Sequence, residues 1–205
     1  MNWTETNEII LDTDRISQFY CAMKAGKAML QEKGKNYKFT WQDLGDIDTG
    51  RPNLGLHVPV QVYRLLQYTL RDVLIARLGA NEANTILIEA GRQAGLHFCM
   101  NMLDRNKDFN EFIAQLQRIL KEQAVGILRI ESADLENMHF VLTVSEDLDC
   151  SGLPCTDEVV CKYDEGFIAG LLEAYTGKPF IAKEIDCWAS GDRVCRFDVR
   201  AGQTN

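Results

Sequence analysis

No run of apolar residues in this sequence approaches the roughly 18 that a membrane-spanning helix needs. Proline is scarce, at 4 of 205 residues, and no repeat, Gly/Ser-rich stretch or low-complexity tract occurs. That excludes collagen-like, repeat-built and linker-joined chains. The opening residues, MNWTETNEIILDTD, lack the basic start and apolar centre of a secretory signal. Positive charge is also in short supply. There are 22 Lys and Arg against 30 Asp and Glu, for a formal net charge of −8. A binder of phosphate backbones needs clustered Lys and Arg, so nucleic acid is not an expected partner. GxGxxG, Walker, GxSxG and HExxH patterns are missing as well, and no catalytic residue is expected. These absences point to a cytoplasmic protein that binds rather than catalyses.

What is present changes character near Gly126. Upstream the apolar spacing is helical. Thr13 or Asp14 can cap a helix to about Gly34, carrying Ile16, Phe19, Tyr20, Met23, Met29 and Leu30. After a loop with Gly45, Gly50, Pro52 and Gly55, Pro59 opens a long helix that ends at Gly79. A third helix is expected over about 83–103 and a fourth from near Asp108 to Gln123. The fourth has an apolar stripe of Phe112, Ile113, Leu116, Ile119 and Leu120. Downstream, GILRIES and NMHFVLTVSED read as strands, with Met138, Phe140, Leu142 and Val144 on one face. DEGFIAGLLEAYTG is a short helix ending at Gly177, and KPFIAKEIDCW and VCRFDVR form a hairpin around Ser190-Gly191-Asp192.

Helices followed by antiparallel strands predict the α+β class: N-terminal helices packed on a C-terminal antiparallel sheet with one inserted helix. The expected organisation is a single globule over 1–205, helical over 1–125, with the chemistry in 126–200. Gly91, Gly95, Gly166 and Gly170 fall mid-helix, where each costs about 1 kcal/mol against Ala. They predict either close helix approach or room for a ligand. The long second helix has apolar residues on more than one side, which fits a homodimer. Asp147, Asp149, Asp157 and Glu158 read as solvated loop charges.

Cysteine is abundant and uneven. Of the 7 cysteines, Cys21 and Cys99 stand alone, while Cys150, Cys155, Cys161, Cys187 and Cys195 crowd the C-terminal part. In a reducing compartment such a cluster reads first as a metal site. Cys187 and Cys195 are symmetric about Gly191, so the hairpin makes them cross-strand neighbours about 5 Å apart at Cβ. Two thiolates so placed can share a zinc ion. Glu184 lies three residues before Cys187, and a regular strand would put the two on opposite faces, so a bulge is needed. Cys161, at the start of the last helix, can supply a further thiolate. Spacing alone leaves a metal site, a buried thiol pair and a disulfide open, with an iron–sulfur site using Cys150 and Cys155 as a further alternative. Cys150 and Cys155 otherwise read as ordinary loop residues.

The stretch SGLP, then Cys161, Gly166-Phe167-Ile168, Glu184-Ile-Asp-Cys187 and Ser190-Gly-Asp-Arg-Val-Cys195-Arg-Phe-Asp-Val199 resembles the 4-vinyl reductase domain family. RPNLGLHVPVQVYRLL and EAGRQAGLHF resemble its helical half more loosely. That family includes hydrocarbon-binding archaeal proteins and the sensory domains of phenol- and xylene-responsive activators. Its fold is similar to those of TRAPP subunits and haem nitric-oxide-binding domains. The aromatic sensors hold zinc with a Cys, a Glu and two further Cys, and that spacing matches Cys161, Glu184, Cys187 and Cys195. The resemblance therefore implies zinc on those four residues. It also implies a small hydrophobic or aromatic molecule between helices and sheet, with His97, Phe98, Phe140, Tyr163 and Phe167 (and Met138) as candidate lining. The implied role is that of a sensor or carrier. The alternatives are a tetrapyrrole-binding enzyme or accessory protein in vinyl reduction and a TRAPP-like assembly scaffold.

Overall fold

The computed structural model describes residues 37–202. The helix expected over 14–34, and Cys21, lie outside the described residues. The chain divides into two compact units, residues 1–43 and 44–205. In the first, Thr40 donates through both its backbone N–H and its hydroxyl to Asp43. All that follows concerns the second.

Four long helices and four strands carry this unit: α1 (Val60–Leu78), α2 (Ala80–Met102), α3 (Phe109–Glu122), β1 (Ile127–Asp134), β2 (His139–Ser145), α4 (Lys162–Thr176), β3 (Phe180–Asp186) and β4 (Cys195–Ala201). The class is α+β, with helices leading into a C-terminal antiparallel sheet of order β1-β2-β4-β3. Both expected hairpins form, and β2 pairs with β4 between them.

The sequence explains most boundaries. Asp108 caps α3 by accepting from the Glu111 N–H at 3.0 Å. Phe112, Ile113, Leu116, Ile119 and Leu120 are the buried residues of α3, the stripe read from spacing. Gly177 ends α4 in the left-handed region, at φ 72°, a backbone state that glycine adopts without strain. The core joins α3 and α4 to the sheet through Phe112, Phe140, Phe180, Phe197 and Val199. Met138 is the exception to the strand reading. It stands just before β2 at φ 50°, in the turn from β1.

The mid-helix glycines have a definite purpose. A Cβ on Gly91 would lie 2.0 Å from the Tyr163 carbonyl oxygen, and one on Gly95 2.1 Å from that of Phe167. From the other side, a Cβ on Gly166 would lie 1.9 Å from the Ile88 carbonyl oxygen, and one on Gly170 2.1 Å from that of Arg92. Backbone meets backbone along α2 and α4, so these glycines serve close helix approach rather than open space.

Helix α1 is held differently. It has no buried residue, and its attachment to the turn after β2 is polar. Arg64 donates to the carbonyls of Leu148 (2.8 Å), Ser151 (2.9 Å) and Asp147 (3.3 Å). Tyr63 and Gln67 donate to the Asp149 carboxylate, and Tyr68 to the Asp149 carbonyl. Further along, Arg71 donates to the Val160 carbonyl.

Candidate functional site

The fold brings four thiols together from four places. Cys150 lies in the turn after β2, Cys161 caps the start of α4, Cys187 follows β3 and Cys195 opens β4. All four are buried, and their sulfurs lie within 4.8 Å of one another. Cys161 Sγ is 3.8 Å from both Cys187 Sγ and Cys195 Sγ. Sulfurs about 2.3 Å from a shared tetrahedral metal stand about 3.8 Å apart, so this spacing and donor set fit a thiophilic ion. Cys150 Sγ is closer, 3.0 Å from Cys195 Sγ.

Local geometry explains why these positions converge. The pairing of β3 with β4 shifts between Glu184 and Asp186, the irregularity the Glu184–Cys187 spacing required. Beyond it, Cys187 N–H donates to Ser190 Oγ and the Asp192 N–H to the Cys187 carbonyl, which closes the turn. Cys150 is turned inward by Asp147, whose Oδ1 accepts from the N–H groups of Asp149 (2.8 Å) and Cys150 (3.0 Å). Cys155, in contrast, is exposed.

The cluster is electrostatically prepared for a cation. The thiols of Cys150, Cys161 and Cys195 all point to Cys187 and hold it far below the ordinary thiol range, as a thiolate. The same contacts push Cys161 and Cys195 up. Glu184 is buried beside them. Its Oε2 accepts from the Cys161 N–H at 2.9 Å, while Oε1 has no hydrogen-bond partner. Burial, then the neighbouring Cys187, pushes the Glu184 carboxyl up to about 8. Nearby cations are engaged elsewhere. Lys162 pairs with Glu165 at 2.6 Å, and Arg196 pairs with Glu131 and Asp186.

Asp147 and Asp149 correct the reading of solvated charges: they are 5% and 3% exposed. Hydrogen bonds from α1 and from the turn itself account for their burial. Burial and the neighbouring Asp149 push Asp147 up to about 7. Asp157 and Glu158 do lie at the surface.

Next to the thiols is an apolar cavity of about 50 Å³ between α3, α4 and the sheet. Phe140, Leu142 and Val144 of β2 line one wall, and Phe167, Ile168, Leu171 and Leu172 of α4 another. Of the residues expected to line a ligand site, Phe140 and Phe167 do so. Phe98 is buried behind Phe167, ring edge to face at 5.3 Å, and His97 and Tyr163 are not in the lining. Asp147 and Asp164 are the acidic members of the lining. Neither was singled out from the sequence, because an acid in the first turn of a helix reads as a partner of the helix dipole. For Cys150 the available signal was Asp147 three residues earlier, an Asx-turn spacing that swings the third residue inward.

Comparison with solved structures returns the same architecture. The phenol-responsive sensory domain of the transcription activator PoxR, determined with phenol, aligns at TM-score 0.53 and 16% identity over 71% of this chain and 76% of that one. A vinyl-4-reductase family protein from Methanocaldococcus jannaschii aligns at TM-score 0.55 and 18% identity over 82% of this chain and 99% of that one. A trafficking protein particle complex subunit 3 from Naegleria fowleri, covalently bound to palmitic acid, aligns at TM-score 0.51 and 14% identity over 70% and 97%. At these identities the likeness is one of fold. Among curated sequences, an uncharacterized M. jannaschii protein is 25% identical over 87% of this chain and 94% of its own length. Another from the same organism is 29% identical over 72% of this chain and 80% of its own length. Residues 140–201, the segment that holds all four clustered thiols and two walls of the cavity, match the 4-vinyl reductase domain family, and this part of the chain is a 4-vinyl reductase domain.

Proposed function

We propose that the chain is a zinc-stabilised binding module for a small hydrophobic or aromatic molecule, acting as a sensor or carrier. One observation carries the reading: the thiol cluster and the cavity share their supporting elements. Helix α4 begins at Cys161 and lines the cavity from Asp164 to Leu172, and Cys150 follows the cavity residue Asp147 by three positions. A metal ion on the thiols would hold the start of α4 against the β3–β4 turn and so fix two cavity walls. Structural zinc contributes folding free energy in this way and leaves no open position for catalysis. The phenol in the PoxR sensory domain supports a small aromatic ligand for a chain of the same fold. The small volume favours such a ligand over a tetrapyrrole.

Cys161, Cys187 and Cys195 are the three thiolate ligands in this reading. The sulfur cluster supports Cys150 as the fourth, and the unpartnered Oε1 supports Glu184. Cys150→Ser and Glu184→Gln separate the two, since only substitution of a true ligand lowers the zinc content. The first experiment is native mass spectrometry of freshly purified protein against its denatured mass. One zinc per chain, plus phenol or toluene binding in titration, is the expected result. Protein without metal, or with no affinity for either ligand, overturns the reading.

Two further points belong to it. Reduced buried thiols suit a reducing, cytoplasmic setting. Among the described residues no helix is long and apolar enough to cross a membrane. Helix α1 exposes Val62, Leu65, Leu66 and Val73, which supports a homodimer. Light scattering that gives the mass of one 23.2 kDa chain would rule the dimer out.

A further inference from the structure

The cavity is apolar except at one end, where Asp147 and Asp164 enter the lining. A carboxylate oxygen of each lies within 4.8 Å of the other and of Cys161 Sγ. The two acids are not equivalent. Asp147 uses Oδ1 to accept two backbone N–H groups of its own turn. Asp164 Oδ2 is shut off from solvent and has no hydrogen-bond partner. Such an atom is expensive to bury unless something supplies a donor. The protein's own cations do not supply one. Lys162, on the same turn of α4, is paired with Glu165, and Arg64 directs its donors to backbone carbonyls. None of the ion pairs among the described residues involves Asp147, Asp149 or Asp164.

From this juxtaposition we infer that the cavity takes an apolar amine, its ammonium head between Asp164 and Asp147 and its hydrocarbon body against Phe140, Phe167 and Leu171. The inference rests on the binding-module reading and narrows its ligand class. An ammonium carries three donors and a full positive charge, enough to serve both carboxyls at once. A hydroxyl offers one donor and no charge, and a plain hydrocarbon leaves Asp164 Oδ2 as it is. A hard metal ion needs six or more oxygen ligands, and the rest of the lining is hydrocarbon. The volume sets the size of the body. About 50 Å³ accommodates a short alkyl chain directly, whereas a benzene ring occupies a cavity of about 150 Å³. An aromatic amine therefore enters only if the partly exposed Phe167 or Ile168 turns outward.

The test compares butylamine with butanol, which match in shape, and includes toluene as the neutral reference. Binding is read by calorimetry on the metal-loaded full chain and on Asp164→Asn. Butylamine is expected to bind at least about 10-fold tighter than butanol, the margin of a charge-assisted hydrogen bond over a neutral one. Asp164→Asn is expected to abolish that margin while butanol and toluene affinities stay within about twofold. Its zinc content, read on the same sample, should be unchanged. Equal affinity for amine and alcohol in the unaltered protein overturns the inference, and so does a margin that survives Asp164→Asn. Toluene binding without amine preference leaves the module reading standing and removes only the amine. Absence of binding by all three removes both. Should Asp164→Asn fail to fold, the amine-to-alcohol ratio of the unaltered chain decides alone.

Discussion

Helices α1 and α2 follow one another directly, yet the two attach to the rest of the unit by opposite means. Helix α2 meets α4 along a glycine seam in which main chain touches main chain. Helix α1 buries no residue and is latched to the turn at 147–151 by side-chain hydrogen bonds. Close packing has no slack, so the seam tolerates no added atom. A polar latch exchanges protein partners for water at modest cost and can open locally. The seam fixes the helix that carries Cys161 and the cavity wall. The latch holds the turn that carries Cys150 and Asp147. The candidate site thus has one rigid side and one side able to yield.

The largest effect should come from breaking the seam. Gly166→Ala places a methyl 1.9 Å from the Ile88 carbonyl oxygen and 2.7 Å from the Arg92 nitrogen, both main chain. A loss of about 3 kcal/mol or more is expected in urea unfolding. A loss below about 0.5 kcal/mol would mean that the helices are farther apart. Next comes the joint between the two regions. Cys187→Ser should remove the zinc and lower the melting temperature by several degrees, measured by metal analysis and circular dichroism on one sample. Equal metal and equal melting would dismiss the ligand set. On the latch side, Arg64→Ala leaves three carbonyls without their donor and should cost about 1–3 kcal/mol. The telling readout is hydrogen exchange: α1 amides should speed up while those of α2 and α4 keep their protection. Uniform acceleration would show that latch and seam open together. Smallest is Tyr63→Phe, which removes one hydrogen bond to Asp149, for about 1 kcal/mol.

The same contrast decides what could be read from sequence. Elements whose signal is local were legible. The stripe and cap of α3, the two hairpins and the meeting of Cys187 with Cys195 follow from period, turn residues and symmetry about Gly191. The glycines of α2 and α4 were visible, but spacing left two explanations, and only the partner backbone decides between them. That choice also settles the phase of α2. With Gly95 on α4, Phe98 packs behind Phe167 rather than in the cavity. Cys150, Asp147 and Asp149 were misread as loop surface because their burial depends on α1, more than 80 residues earlier in the chain. No local pattern announces an acid whose partners arrive from such a distance.

The seam also bears on how the chain folds. Residue 91 meets 163 and 167, and residue 95 meets 167 and 171, so α3 and the β1–β2 hairpin lie between the two halves in sequence. Helices α2 and α4 cannot seat until that intervening chain is brought into a closed loop, and loop closure between distant segments slows folding. Four thiols converge only after the same closure, because Cys161 rides on α4. Helical signal should therefore rise well before metal uptake in a refolding experiment, and metal added early would meet a chain whose ligands are still apart.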